Sequence, residues 1–287
     1  MKKKVTIINF WDKGGMAHYS EALIGKIKDD YDVTYLSNYK KTIDGVNTLC
    51  TDVSLNPIAN RRLIFKKIEQ TKPEIIHFTS SHPANLFLYQ KLKEYKTVLT
   101  IHDAKSHEGE KVSKRIFHTL HLRLASVFIK NIIVHSRGIK NDLPNYFRNK
   151  KIFIMQHSDY SHLANTKKKS GGNKKFTILF FGRILDYKGL KYLVDAFQKL
   201  PEEKYKLIIA GDGDINCDIP KNKDVEIFNE FISDKKMGEL FRRSDISVLP
   251  YISASQSGVA YLSLAFDKPV IATRVGALPE VVNSRNG

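Results

Sequence analysis

Short apolar runs alternate with amphipathic stretches along nearly all of the 287 residues, and no other feature restricts the fold as much. The short runs, rich in Ile, Val and Phe, read as strands buried on both faces, and the stretches between them carry apolar residues near helical spacing. Such alternation builds βαβ units around parallel sheets. It predicts strands over residues 5–9, 33–36, 46–51, 75–78, 98–102, 132–135 and 152–155, with helices over 15–28, 57–71, 83–93, 114–130 and 138–148. Residues 157–175, HSDYSHLANTKKKSGGNKK, lack any apolar period and read as a linker. The alternation then restarts, with strands over 176–181, 205–210, 225–228, 246–249 and 269–272 and helices over 190–200, 235–243, 258–266 and 278–282. The expectation is an α/β chain of two Rossmann-like domains, residues 1–157 and 176–287, joined by a linker over 158–175. The second has fewer βα units and is expected to be incomplete.

Charge points to an anionic partner. Lys and Arg number 47 against 30 Asp and Glu, a net +17, and the excess is uneven. Residues 1–170 hold 30 cations against 15 anions, while residues 171–287 hold 17 against 15. Nucleic acid is disfavoured, because no RNP aromatic signature, helix-turn-helix signal or zinc finger is present. No apolar run is long enough to span a bilayer. Cys50 and Cys217 stand far apart and outside any CxxC spacing, which suits a reducing, cytoplasmic setting. Residues 114–130, KRIFHTLHLRLASVFIK, align Ile116, Leu120, Leu124 and Val127 on one stripe beside several cations. That pattern suits a helix on an anionic membrane surface, and equally a core helix with a solvated basic edge. Residues 60–67, NRRLIFKK, form a second basic and apolar stretch.

Open α/β sheets bind ligands at the carboxyl ends of their strands, so the loops after strands carry the search. After the first strand, Gly14 and Gly15 open a helix and leave room for a phosphate to approach the backbone; an ordinary glycine turn would look the same. After the fifth, His102 of Thr100-Ile101-His102-Asp103 is placed to hydrogen-bond a sugar hydroxyl near a reacting carbon, or to serve as a satisfied structural histidine. The histidines show no HExxH or other regular ligand spacing, so no metal site is assigned. The loop after the strand over 176–181, FGRILDYKG, is more informative. Gly182 permits a tight exit, and Arg183 and Lys188 bring two cations to a helix entrance. Fixed cations there suit a diphosphate whose charge grows as a bond to it breaks. The alternative is a solvated surface pair.

FFGRILDYKGLKYLVDAFQKL, then LIIAGDGD, then SVLPYISASQSGVAYLSLAFDKPVIATRVGALPEVV resemble, in order, the donor-binding domain of family 4 glycosyltransferases. The Gly14-Gly15 loop, Thr100-Ile101-His102-Asp103 and Val134-His135-Ser136 extend the resemblance into the first half. It implies a GT-B fold and a retaining transfer from a nucleoside-diphosphate sugar, UDP- or GDP-linked, without cofactor or metal. Arg183, Lys188 and His102 would take the catalytic positions. Gly14, Gly15, Gly182, Ser255, Gln256, Ser257, Gly258, Val259 and Ser263 would line the donor. The family usually carries Glu-x7-Glu before its PVIAT strand, and here Ser255 and Ser263 stand at those positions. Ser255-Gln256-Ser257-Gly258-Val259 resembles instead a bacterial polysaccharide-assembly subset. Gln256 and Ser257 can still hydrogen-bond donor hydroxyls, and the helix starting at Gly258 suits a diphosphate. The implied partners are the sugar nucleotide, a lipid-linked or polysaccharide acceptor and an anionic membrane surface, peripherally on the inner face of the cell membrane. The lost glutamates leave open a GT-B partner subunit that binds sugar nucleotide without turnover.

Overall fold

The structure, a computed structural model, describes residues 1–11, 14–39, 42–51, 61–106, 112–157, 160–164, 175–221 and 223–287. The chain divides into two compact units, one of residues 1–106 and 110–158 and the other of 107–109 and 159–287. Each is built on its own parallel sheet.

The first unit has seven strands: β1 (Lys4–Asn9), β2 (Asp32–Ser37), β3 (Asn47–Cys50), β4 (Ile75–Phe78), β5 (Lys96–Ile101), β6 (Asn131–Val134) and β7 (Lys151–Ile154). They lie in the order β3-β2-β1-β4-β5-β6-β7, all parallel. The order reverses between β1 and β4, where a crevice forms beyond the strand ends. Side chains alternate along β1: Ile8 joins a core with Phe78, Leu99 and Val134, and Val5 and Ile7 join another with Tyr19, Ile24 and Tyr35. Both faces are thus covered, which is why the strand is a continuous apolar run.

Helices α1 (Gly15–Ile27), α2 (Arg61–Thr71), α3 (Pro83–Tyr89), α4 (Val112–Phe128) and α5 (Arg137–Asp142) fill the intervals. Residues 57–60, expected to begin α2, lie outside the described residues, as does residue 60 of the basic stretch. The helix expected over 138–148 is split into α5 and a 3-10 turn, Asn145–Phe147. Pro144 is the cause: the residue before a proline is driven out of the α region, and Leu143 has ψ 135°. On α4 the stripe through Ile116, Leu120 and Val127 faces outward, while His121, Leu122, Ala125 and Ser126 are buried.

The second unit has β8 (Phe176–Phe181), β9 (Tyr205–Ala210), β10 (Val225–Phe228), β11 (Ile246–Leu249) and β12 (Val270–Ala272), in the parallel order β10-β9-β8-β11-β12. Its helices are α6 (Ser161–Ala164), α7 (Leu190–Phe197), α8 (Asp234–Arg243), α9 (Gly258–Ala265) and α10 (Leu278–Val281). Here the order reverses between β8 and β11. Part of the stretch read as linker is ordered: Tyr160 is buried, and α6 packs on α9. Residues 165–174 lie outside the described residues.

Candidate active site

The reversal between β8 and β11 explains which loops meet. The loop after β8 contains Gly182, Arg183 and a 3-10 turn, Asp186–Lys188; the loop after β11 runs from Pro250 to Ser257 and opens α9. Because β8 and β11 are hydrogen-bonded neighbours, these loops leave the sheet side by side. Gly189, at φ 68°, lets them touch: a Cβ there would collide with the Pro250 carbonyl. The backbone closes the contact through the Ile252 N–H, which donates to the Tyr187 carbonyl at 2.8 Å. On the other side, Gly276 at φ 52° lets the loop after β12 come against the Ala254 carbonyl, and the Ala277 N–H donates to the Ser255 carbonyl at 3.2 Å. Residues 250–257 are therefore pinned from both flanks.

Lys188 is drawn into this cradle. Its Nζ donates to the Tyr251 hydroxyl at 2.8 Å and sits 4.2 Å from the Tyr251 ring centroid. Tyr251 Oη is 3.1 Å from Ser257 Oγ, and both residues are buried. A chain of contacts thus runs from the ammonium to Ser257, the N-cap of α9, whose side chain makes no cap hydrogen bond. Gly182, at φ 106°, faces Val259 of the same helix, so a Cβ there would lie 3.2 Å from Val259 Cγ2. The β8 loop and the start of α9 accordingly gather Gly182, Lys188, Ser257, Gly258 and Val259 in one place. Arg183, beside Gly182, is exposed, and Ser255 and Gln256 are half-buried in the pinned loop. A cation held against backbone N–H groups at a helix start can neutralise a phosphate chain. Tyr251 is the member the motif reading missed; its offset from the PVIAT strand carried no signal, since its role comes from the β8–β11 pairing.

Two of the expected site residues are hydrogen-bonded within the fold. Ser263 is fully buried, and its hydroxyl donates to the Val259 carbonyl at 2.7 Å, a bond to the preceding turn of its own helix. His102 is also buried, and its Nε2 bonds the Thr79 carbonyl at 2.9 Å. Gly14 caps α1 at φ 66°, and both Gly14 and Gly15 have open space where a Cβ would stand. Both belong to the first unit.

His102 has company. His135 and His157 lie with it so that one ring nitrogen from each falls within 4.8 Å of the others, and the Tyr19 ring meets all three edge-on, with centroids 4.8 to 5.0 Å away. His135 Nδ1 bonds the Met155 carbonyl at 2.9 Å, and its buried Nε2 has no partner. Burial pushes the His135 pKa down to about 2, with repulsion from His102 and His157 adding to it. Burial likewise lowers His102, against the Thr79 bond, and brings His77, beside Thr100, to about 4. His77, His102 and His135 are therefore neutral in the folded unit at ordinary pH.

Residues 175–287 match the family described as Glycosyl transferases group 1. The second unit is thus similar to glycosyltransferases of that family. Over 94% of its length it is 29% identical to an uncharacterized glycosyltransferase of Methanocaldococcus jannaschii, covering 78% of that protein. A second uncharacterized glycosyltransferase of the same organism is 31% identical over 112 residues, 37% of this chain and 29% of that protein. Among solved structures, Anabaena HepE in complex with UDP-glucose superposes with a TM-score of 0.74 at 15% identity, over 98% of this chain and 83% of that one. At that identity the likeness establishes the shared fold.

Proposed function

We propose that this protein is a retaining glycosyltransferase that moves a sugar from a UDP- or GDP-sugar to a lipid-linked or polysaccharide acceptor in cell-surface glycan assembly. The observation that carries the reading is Lys188, fixed by Tyr251 at the start of α9. In the transfer, the bond from the sugar C1 to the diphosphate oxygen breaks and the acceptor oxygen bonds C1 on the same face. The acceptor proton passes to the departing phosphate oxygen. Negative charge grows on the diphosphate as the bond opens, so Lys188 and Arg183 stabilise the transition state more than the bound donor. These cations take the place a divalent ion holds in other transferases. Ser255, Gln256 and Ser257 are the side chains placed for donor hydroxyls, and the backbone of Gly258 and Val259 for phosphate oxygens. UDP-glucose in the Anabaena relative supports the donor class.

The acceptor side is assigned to the basic first unit. On α4, Val112, Ile116, Leu120 and Val127 are 68%, 62%, 49% and 68% exposed, with Lys114, Arg115 and Arg123 also exposed on that helix. An apolar stripe among cations suits the surface of an anionic leaflet, where a lipid-linked acceptor resides. No helix among the described residues is long and apolar enough to cross a membrane.

Ligand-induced thermal shift tests the donor site. UDP- and GDP-sugars are compared on wild type, Arg183→Ala and Lys188→Ala. A shift with one donor in wild type, reduced in both variants and accompanied by loss of transfer, is expected. Equal shifts in all three proteins would sink the assignment.

A further inference from the structure

The sequence offers no metal-ligand spacing, yet the sheet supplies one in three dimensions. β5, β6 and β7 are consecutive parallel neighbours. His102 follows β5 directly, His135 follows β6 directly, and His157 lies three residues beyond β7. Adjacent parallel strands end on one rim, so residues 33 and 22 positions apart in sequence converge there. We infer that His102, His135 and His157 form a three-nitrogen site for a first-row divalent cation of the zinc class.

The hydrogen bonds of His102 and His135 set their tautomers in the sense a metal requires. A backbone carbonyl accepts, so His102 carries its proton on Nε2 toward Thr79 and its lone pair on Nδ1. His135 carries its proton on Nδ1 toward Met155 and its lone pair on Nε2. Metal-bound imidazoles characteristically donate their other ring N–H to a carbonyl or carboxylate, which fixes the ring and raises its basicity. His135 Nε2 is the decisive atom, because a buried acceptor without a partner carries a desolvation cost that coordination would remove. Tyr19, fully buried, braces all three rings.

Dimensions are compatible. Zinc binds imidazole nitrogen at about 2.0–2.1 Å, which puts tetrahedral ligands roughly 3.3 Å apart. The nitrogens here are within 4.8 Å of one another, so each ring has to swing inward by less than about 1 Å. Three uncharged nitrogens and no thiolate favour zinc, cobalt, nickel or copper over magnesium and calcium, which take oxygen ligands. Three protein ligands also leave a fourth position for water. Such an ion would tie three strand ends together in the first unit.

Cobalt(II) is the probe, because its tetrahedral complexes absorb strongly in the visible while hexaaqua cobalt does not. Full-length protein stripped with chelator is titrated with cobalt, and then with zinc, which displaces it. One equivalent with tetrahedral absorption is expected in wild type and in His162→Asn. His135→Asn and His157→Asn are expected to bind more than about tenfold more weakly. Circular dichroism establishes that the variants are folded; should they not fold, the wild-type titration decides by itself. Absence of the tetrahedral spectrum in wild type, or the same spectrum and affinity in folded His135→Asn and His157→Asn, would overturn the inference.

Discussion

Replacing Tyr251 by phenylalanine isolates what holds Lys188. The ring remains, and with it the cation–π contact at 4.2 Å; the phenol oxygen that accepts from Nζ at 2.8 Å is removed. Since the ammonium donates into that oxygen, the phenol hydrogen is available to Ser257 Oγ, 3.1 Å away, and this link is lost as well. A hydrogen bond to a charged group contributes about 1.5–3 kcal/mol. Lys188 is half-buried and water can replace part of it, which favours the lower end. A loss of about 1.4 kcal/mol is tenfold in rate, so kcat/KM is expected to fall about tenfold, with a hundredfold as the upper bound. On the proposed mechanism the fall should lie in kcat, because the ammonium would meet charge that develops as the donor bond breaks. Ser257→Ala, which leaves the Lys188 contact in place, should cost less. The assay is steady-state transfer, with thermal melting alongside to separate placement of the cation from loss of fold. Wild-type kcat/KM in Tyr251→Phe, alongside a severe defect in Lys188→Ala, would refute the view that Tyr251 positions the ammonium.

Other consequences follow from the same contacts. Ser263→Ala should leave donor affinity unchanged in a thermal-shift titration, because the hydroxyl bonds its own helix. Gly189→Ala should lower the melting temperature markedly and weaken donor binding, since the new Cβ meets backbone at Pro250 in a left-handed conformation. His77 and His121 have folded pKa values lowered by burial from 6.5 to about 4 and about 3. The unfolded chain therefore takes up protons first as pH falls, and stability present above pH 6.5 is lost below it, by about 1.4 kcal/mol per group per pH unit. Hydrogen exchange should show the first unit, which holds both, opening first near pH 5; simultaneous opening of both units would count against this. Ile116→Glu combined with Val127→Glu should abolish salt-sensitive flotation with anionic liposomes, and retained flotation would exclude α4 as the docking face.

Local patterning settled much of this protein. The apolar runs located the strands because a strand covered on both faces must be apolar along its length, and their alternation with helical stretches required parallel sheets. The glycines and cations of FGRILDYKG marked the β8 loop because that exit needs backbone freedom and the helix start favours anions. Pro144 was equally legible as a helix breaker, although the pattern over 138–148 obscured it. The order of strands in each sheet is not written in any window of sequence, and the remaining findings depend on it. Pairing of β8 with β11 brings Tyr251 under Lys188 across 63 positions, and pairing of β5, β6 and β7 gathers His102, His135 and His157. The burial of Ser263 was illegible for the same reason: spacing fixes where a side chain falls along a helix, while packing decides which way that face turns. Sequence thus determined the elements and the chemistry available at their ends; tertiary structure alone decided which ends meet, because hydrogen bonding between strands is non-local.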